Sequence, residues 1–249
     1  MRRLALPVLF LAACSHTPKV ADTENPQCRG IADKALAAYG EVKGAEDPWK
    51  EFAADPQSVS VALDALAEYP VPDRTTASLF DKALKNGGIA DADVPLIFDA
   101  KGCSTIRFFR AWKITLATLR HYKLGGAERD RARTTLAHFL QTQPEQPTLI
   151  ETLVRIQLAE WGVESGVFQP TKAAAKRLAA LRSRAAVDKD KIRISWKKLE
   201  SLEKPEDYQN WTEEQKSQVK KTLFEELSMV NGLNQELSSL SKELSRNPA

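Results

Sequence analysis

Glycine is scarce in this chain, and so are regular alternations of apolar and polar residues. Only 11 of the 249 residues are glycine, and few stretches alternate β-branched with polar residues as half-buried strands do. Alanine, leucine, glutamate, lysine and arginine, which favour helices, are abundant instead. The chain is therefore predicted to be all-α, and its hydrophobic fraction of 43% is large enough to form a substantial core.

The sequence also lacks the motifs of common catalytic and metal sites. His16 lies near the N-terminus, while His121 and His138 stand on separate predicted helices with no second ligand at helical spacing. No Gly-x-Ser-x-Gly elbow, glycine-rich phosphate loop or Cys-x-x-Cys pair occurs. We therefore predict no cofactor and no metal site, and we read His121 and His138 as structural residues.

Three aspartates in a glycine-containing connection, Asp91, Asp93 and Asp99, faintly resemble calcium ligands. A helix–loop–helix calcium loop needs acids at its first, third and fifth positions and a glycine at the sixth. Pro95 occupies the fifth position, so the match fails. A catalytic pair of carboxylates cannot be chosen from 33 acidic residues by sequence alone.

The longest apolar run near the N-terminus, residues 4–13, is too short to span a membrane, which takes roughly 20 residues. It follows Arg2 and Arg3 and ends in small residues, as signal peptides do. Its last residues and the next one, Leu11-Ala12-Ala13-Cys14, resemble the lipobox of bacterial lipoproteins.

The resemblance to lipoproteins implies cleavage before Cys14 and lipidation of that residue. Several acyl chains would anchor the protein stably, since one chain alone binds a membrane only marginally. In such lipoproteins an aspartate after the cysteine typically causes retention in the inner membrane. Ser15 therefore favours the outer membrane, on its periplasmic face, if the host is Gram-negative. An ordinary secretory signal with an incidental Cys14 is the alternative.

Periodicity, proline and glycine divide the mature chain into predicted helices. Residues 14–26 are predicted to be a lipidated tether after a signal peptide of residues 1–13, followed by a helical domain, 27–169, and a long helical hairpin, 170–249. We predict an irregular multi-helix domain, with stacked helical hairpins as one form of it. The predicted helices span 27–39, 56–69, 75–86, 105–123, 127–142, 147–163, 171–203 and a run from 212, with a helical turn favoured over a strand at 94–98.

Once Cys14 carries lipid, Cys28 and Cys103 remain as an even pair in an oxidising compartment, which favours a disulfide between them. Such a bond would stabilise the fold by roughly 4 to 5 kcal/mol in the chain-entropy model. Two unpaired thiols are the alternative.

The C-terminal third contains two long helical runs with one heptad frame each. Leu178, Ala185 and Ile192 recur every seven residues in the first run, whose polar middle at 188–191 predicts a break. Thr212 is predicted to cap the second run, because its side chain can accept from free backbone amides. The similar lengths and opposite net charges of the runs predict an antiparallel hairpin.

Asn234 falls at a seam position of the second run. A buried asparagine can specify the register and number of strands in a coiled coil, which would make this helix an oligomerisation element in a homo-oligomer. Alternatively, Asn234 pairs with a polar group across the hairpin or faces solvent.

Positive charge is concentrated in residues 170–204, which hold 11 lysines and arginines and four acids, against a formal net charge of +3 for the whole chain. This segment could bind an anionic partner, such as lipid headgroups. Alternatively, the segment is a solvated helix face whose positive charge balances the negative charge of a neighbouring helix. Nucleic acid is not expected as a partner in this compartment. The candidate interaction residues are Lys172, Lys176, Arg177, Arg182 and Arg184.

Together these features predict a non-enzymatic, lipid-anchored envelope protein that mediates protein–protein interaction or assembly. An envelope enzyme that acts on peptidoglycan or glycan through unassigned carboxylates is the alternative. A helical carrier or inhibitor is a third hypothesis.

Overall fold

A computed structural model describes residues 26–40, 56–69, 74–99, 105–142, 148–197 and 205–246 of this chain. The fold is all-α, as predicted, and the described residues contain no strand. They form α1 (Pro26–Ala37), α2 (Pro56–Ala67), α3 (Arg74–Asn86), α4 (Asp93–Asp99), α5 (Thr105–His121), α6 (Gly126–Gln141), α7 (Leu149–Glu164), α8 (Lys172–Lys197), a 3-10 helix (Pro205–Asn210) and α9 (Glu213–Leu244).

The ends of the helices follow local chemistry. Thr148 caps α7 by accepting from the amide of Glu151 over 3.2 Å. Thr212 caps α9, as predicted, in a reciprocal capping box with Gln215. Gly166 stands just beyond α7 at a φ of +75°, a left-handed conformation that glycine adopts without strain. These residues therefore set the lengths of the two helices.

Two local predictions have different outcomes. The helical turn predicted at residues 94–98 is confirmed, because these residues belong to α4. The break predicted at 188–191 is wrong, because α8 is continuous from Lys172 to Lys197. Its polar middle is compatible with a helix, since Asp188 pairs with Lys191 within the helix at 3.7 Å.

Helices α8 and α9 form the predicted antiparallel hairpin. Arg177 pairs with Glu243, and Arg184 pairs with Glu236 at 2.7 Å. Residues with higher numbers on α8 therefore contact residues with lower numbers on α9, as in an antiparallel pair. The apolar seam is confirmed by the burial of side chains at heptad spacing on both helices. These are Leu178, Leu181, Ala185 and Ile192 on α8, and Val230, Leu237 and Leu244 on α9.

The hairpin shares its core with the helices before it. Helix α9 packs against α6 and α7 as well as α8, and α5 packs against α1, α2 and α7. The central aromatic residues of this core are fully buried: Trp112 and Phe108 on α5 and Phe139 on α6. Because neighbours in sequence are often not neighbours in space, the bundle is irregular.

A smaller apolar cluster lies at the N-terminal half of α9. It joins Ala83 of α3, Val94 of α4 and Tyr208 of the 3-10 helix to Val219 and Leu227 of α9. At about 1.5 Å per residue, the 32 residues of α9 extend about 48 Å. This length lets one helix connect the smaller cluster to the main core.

Cys28 lies in α1, is fully buried and is disulfide-bonded. Cys103 lies outside the described residues, so its pairing with Cys28 stays a prediction. Cys14 and the whole lipobox also lie outside them.

Candidate functional site

The first candidate site is the outward face of α8, where Lys172 and Lys176 are exposed. Among the described residues neither amine has an ion-pair partner. Lysine side chains carry a compact, strongly hydrated charge on a flexible stem, so these two amines remain available to an anionic partner.

The three predicted arginines of α8 are used differently, because each pairs with an acid of another helix. Arg182 donates to Glu160 of α7 over 3.1 Å. Arg177 and Arg184 make the two ion pairs with α9 described above. Of the five basic residues predicted to take part in the interaction, the arginines therefore attach α8 to the bundle, and only the lysines have no acidic partner among the described residues.

Helix α8 keeps an excess of positive charge after this pairing. Its 26 residues hold nine lysines and arginines and two aspartates. Three arginines pair with acids of α7 and α9, whereas Lys172 and Lys176 have no ion-pair partner among the described residues. The alternative interpretation, a basic face whose charge only balances that of acidic neighbours, therefore does not account for Lys172 and Lys176.

Apolar side chains accompany the charge on the outward face. Val187 and Ile194 are each 55% exposed, and Ala173 and Ala180 continue the same seven-residue spacing with exposed side chains. Residues seven apart lie on one side of a helix. The outward face of α8 thus combines an apolar stripe with lysines, as many protein-binding helices do.

Asn234 is buried within the chain. Its Nδ2 donates to Oγ1 of Thr152 over 2.9 Å, which links α9 to α7. The partner therefore lies on α7 and not on α8, the helix across the hairpin. This differs from both sequence interpretations, because a third helix covers the seam at this level.

The aspartates that resembled calcium ligands serve the smaller cluster. Asp93 accepts from Lys82 at 2.9 Å, and Asp91 accepts from the Tyr208 hydroxyl and pairs with Lys220, both at 2.7 Å. The hydrogen bond from Lys220, followed by that from Tyr208, lowers the pKa of Asp91. The side chain of Asp99 lies outside the part of the chain that the structure describes.

His121 and His138 are exposed at the surface. The His121 ring lies edge-on to Tyr122 at 4.8 Å, and the His138 backbone carbonyl accepts from Thr142 at the end of α6. In the part of the chain that the structure describes, no cluster of three histidines, cysteines or acids could hold a metal ion. His16 lies outside that part.

A second candidate site is a surface groove of about 170 Å³ between α5 and α7. Residues from one face of α5 and the last turns of α7 line it: Lys113, Leu116, Ala117, Arg120, Trp161, Glu164 and Ser165. The Trp161 ring stacks on Phe109 with centroids 5.1 Å apart, and Lys113 Nζ lies 4.8 Å from the Trp161 centroid. An aromatic wall and an amine thus meet in this groove.

Burial changes the ionisation of two groups in and beside the groove. It lowers the pKa of Lys113 to about 8, because the half-buried ammonium loses hydration. The contact with Trp161 favours the ammonium and opposes this effect. Burial also raises the pKa of Glu160, while Arg182 opposes that shift.

The groove residues were not identified from the sequence. Lys113 and Arg120 are seven residues apart on α5, which was a signal for one shared face. Trp161 comes from a different helix, and its approach to α5 depends on tertiary packing. Sequence periodicity could therefore indicate the charged face but not the aromatic wall.

Comparison with protein-family models, curated proteins and solved structures finds no match for this chain. Within the described ranges, every helix is too short or too polar to cross a membrane.

Proposed function

We propose that this chain is a non-enzymatic, lipid-anchored protein of the cell envelope that binds another envelope protein through the outward face of α8. Lipidation at Cys14 would place it at the periplasmic face of the outer membrane in a Gram-negative host. The observation that carries the proposal is the pair of exposed lysines, Lys172 and Lys176, beside an exposed apolar stripe on α8.

The ion pairs of α8 support a role in binding because they hold the helix in place. Arg177 and Arg184 attach α8 to α9, and Arg182 attaches it to α7. A rigid helix loses little conformational entropy when a partner binds, so more of the interaction energy appears as affinity. The exposed lysines then supply electrostatic attraction and specificity.

Three carboxylates, those of Glu160, Asp91 and Asp93, favour a binding protein over an enzyme that uses carboxylates in catalysis, because each of them already accepts a hydrogen bond from another helix or connection. Glu160 accepts from Arg182 beside the groove, and Asp91 and Asp93 accept from Tyr208 and Lys82 in the smaller cluster. A glycosidase needs one carboxyl group as a proton donor and a second one across the scissile bond. These three carboxylates are instead engaged in helix packing.

The anchor is tested by expressing the full chain and its Cys14→Ser variant in a Gram-negative host. The wild type is expected in the outer-membrane fraction, and mass spectrometry of its N-terminal peptide should find acyl groups on Cys14. The variant is expected to be soluble after lysis. A wild type that is itself soluble and unmodified would refute the anchor without affecting the binding surface.

The binding surface is tested by charge reversal. A double variant, Lys172→Glu with Lys176→Glu, is purified from detergent extracts beside the wild type, and co-purifying envelope proteins are quantified. The control reverses two exposed lysines outside α8, Lys85→Glu with Lys221→Glu. We expect the α8 variant to lose one specific protein by at least about tenfold, because like charges at an interface repel.

The control should retain that protein. Equal recovery with both double variants, or equal loss from both, would contradict the assignment of α8 as the binding surface. Circular dichroism on each variant checks that the helical fold is unchanged.

A further inference from the structure

Helix α8 carries two apolar stripes, each with a seven-residue spacing. The inner stripe, which contains Leu178, Ala185 and Ile192, is buried where α8 packs against α7 and α9. The outer stripe is exposed and consists of Ala173, Ala180, Val187 and Ile194. Helices bury an apolar stripe against another element, and a heptad repeat is the spacing at which two helices pair. The outer stripe therefore offers α8 a second pairing surface.

The composition of this face suits a protein helix better than a membrane surface. Small side chains border the outer stripe, since Ala179, Ser183 and Ala186 are exposed beside it, and small residues let two helix axes approach closely. Helices that lie on membranes bury Trp, Phe or Leu, and the described side chains of this face include none of these. From Ala173 to Ile194 the stripe is about 32 Å long, which matches about six turns of a partner helix.

The N-terminal end of this face attracts negative charge. Lys172 and Lys176 are exposed there and have no ion-pair partner among the described residues. The first turn of α8 contains no acid, although acids are favoured at the start of a helix. A partner with carboxylates next to this end would therefore complement both lysines.

A second copy of α8 would not supply that charge. In a parallel pair, the two lysines of each copy would face those of the other, and like charges at an interface repel. In an antiparallel pair they would face the other end of α8. The acids there, Asp188 and Asp190, already pair with Lys191 and Arg193.

We propose that the partner bound by α8 is an amphipathic helix of another protein, with acids at the end that lies next to Lys172 and Lys176. Its apolar side chains contact the outer stripe, and its carboxylates pair with the two lysines. The inference rests on the proposed function, because it names the kind of element that the α8 surface recognises.

The experiment measures how the full chain with Cys14→Ser, which cannot be lipidated, binds three fluorescent peptides. The first is a helix of four heptads with leucine at a and d and glutamate at e and g. The second has lysine in place of each glutamate, and the third has the composition of the first in an order without a heptad repeat. Fluorescence anisotropy should show the glutamate peptide binding at least about tenfold more tightly than either of the others.

Charge reversal tests the role of the two lysines. Lys172→Glu with Lys176→Glu should lower the affinity for the glutamate peptide about tenfold and raise that for the lysine peptide, because the complementary charges are exchanged. Lys85→Glu with Lys221→Glu should change neither affinity. Tighter binding of the lysine peptide would also show that the reversed variant is folded.

Polar substitution tests the outer stripe. Val187→Gln with Ile194→Gln should weaken binding of the glutamate peptide about fivefold, because apolar contact area is lost. The preference for glutamate over lysine should remain. The control, Val61→Gln with Ile150→Gln, replaces the same two residue types at exposures of 56% and 48% and should leave the affinity unchanged.

Several results would overturn the inference: no binding of the glutamate peptide, an affinity no higher than that of either other peptide, or equal losses from the α8 variants and their controls. Phosphatidylglycerol and phosphatidylcholine vesicles test the membrane as a ligand. Binding to phosphatidylglycerol alone that charge reversal removes would assign α8 to a membrane instead. An envelope protein that co-purifies through α8, without these peptide preferences, would leave the proposed function standing and refute only the acidic helix.

Discussion

Asn234 on α9 donates a hydrogen bond from Nδ2 to Oγ1 of Thr152 on α7, over 2.9 Å and in the buried core. The Thr152 hydroxyl in turn donates to the Thr148 carbonyl over 3.0 Å. The other amide atom, Asn234 Oδ1, is buried and has no hydrogen-bond partner in the described residues. A polar contact thus fixes how the C-terminal helix sits on α7.

This geometry predicts that Thr152→Val destabilises the protein more than Asn234→Leu does. Thr152→Val leaves the buried amide without its acceptor, which costs about 1–3 kcal/mol. Asn234→Leu removes an amide whose oxygen is already unpaired, and Thr152 keeps its bond to Thr148. Urea unfolding of both variants and of the double variant measures the difference.

The double variant should lie within about 1 kcal/mol of the wild type, because replacing both partners by apolar groups can be nearly neutral. A larger loss for Asn234→Leu than for Thr152→Val would contradict this account. Light scattering should give the same mass for Asn234→Leu and the wild type, since the amide bonds within the chain.

A second prediction concerns Arg155, which is fully buried in α7. Its Nη2 donates to the carbonyls of Phe139 and Leu140 at 2.8 and 2.9 Å and to that of Thr142, so it caps the C-terminal end of α6. We expect Arg155→Met to destabilise the protein by about 2–4 kcal/mol, because uncapped buried carbonyls cost more than the relief of charge burial returns.

Hydrogen exchange should locate the effect of Arg155→Met at the end of α6, with faster exchange there than in α8. The control is Arg131→Met, which removes a more exposed arginine that pairs with Asp64. Exposed ion pairs contribute about 0–1 kcal/mol. A loss for Arg131→Met as large as that for Arg155→Met would show that the cap is not the cause.

A third prediction concerns the disulfide of Cys28. Peptide mapping without reduction should find Cys28 linked to Cys103. Cys103→Ser should then lower the free energy of unfolding by roughly 4 kcal/mol, because the bond closes a long loop in the unfolded chain. The control is Cys14→Ser, which should leave the linkage intact. A peptide that joins Cys28 to Cys14 would contradict both the pairing and the lipid anchor.

A fourth prediction is a pH dependence caused by Lys113. Burial lowers its pKa from 10.5 to about 8, so between these pH values the unfolded chain binds more protons than the folded chain. The cost of burying the ammonium is therefore full below about pH 8 and declines towards pH 10.5. Lys113→Met should stabilise the protein most below pH 8, by an amount that shrinks as the pH rises.

Unfolding at pH 7, 9 and 10 tests this dependence, with Lys172→Met as the control for an exposed lysine. The difference between the control and the wild type should stay constant over this range. A constant difference for Lys113→Met as well would show that its amine is not desolvated.

Local signals in the sequence account well for the helices. Thr212 and Gly166 act on residues within one turn of themselves, so their roles as cap and terminator could be predicted. The seam of α8 and α9 could also be predicted, because a heptad repeat depends only on spacing. These elements need no knowledge of distant residues.

Contacts between distant residues could not be predicted in the same way. Asn234 and Thr152 lie 82 residues apart, and the seam position of Asn234 carries no information about which helix will cover it. Trp161 reaches Lys113 only because α7 packs on α5. The break predicted in α8 was wrong because pairs of charges three residues apart are compatible with a continuous helix.

Identifying the proposed binding surface requires both the local sequence and the contacts between distant residues. The basic character of residues 170–204 is visible in the sequence. The sequence does not show which charges are used within the chain, since the acids that pair with Arg177 and Arg184 lie on α9. Tertiary structure thus reduces five candidate residues to Lys172 and Lys176.

Site-specific photo-crosslinking in living cells tests the binding surface most directly. A photoreactive residue replaces Val187 on the outward face of α8 or, as a matched control, Val61 on α2. These two valines are 55% and 56% exposed. We predict a discrete adduct with one envelope protein from position 187 that Lys172→Glu with Lys176→Glu removes, and no such adduct from position 61. Equal adducts from both positions, or an adduct at 187 that survives charge reversal, would contradict the proposal that α8 binds a partner.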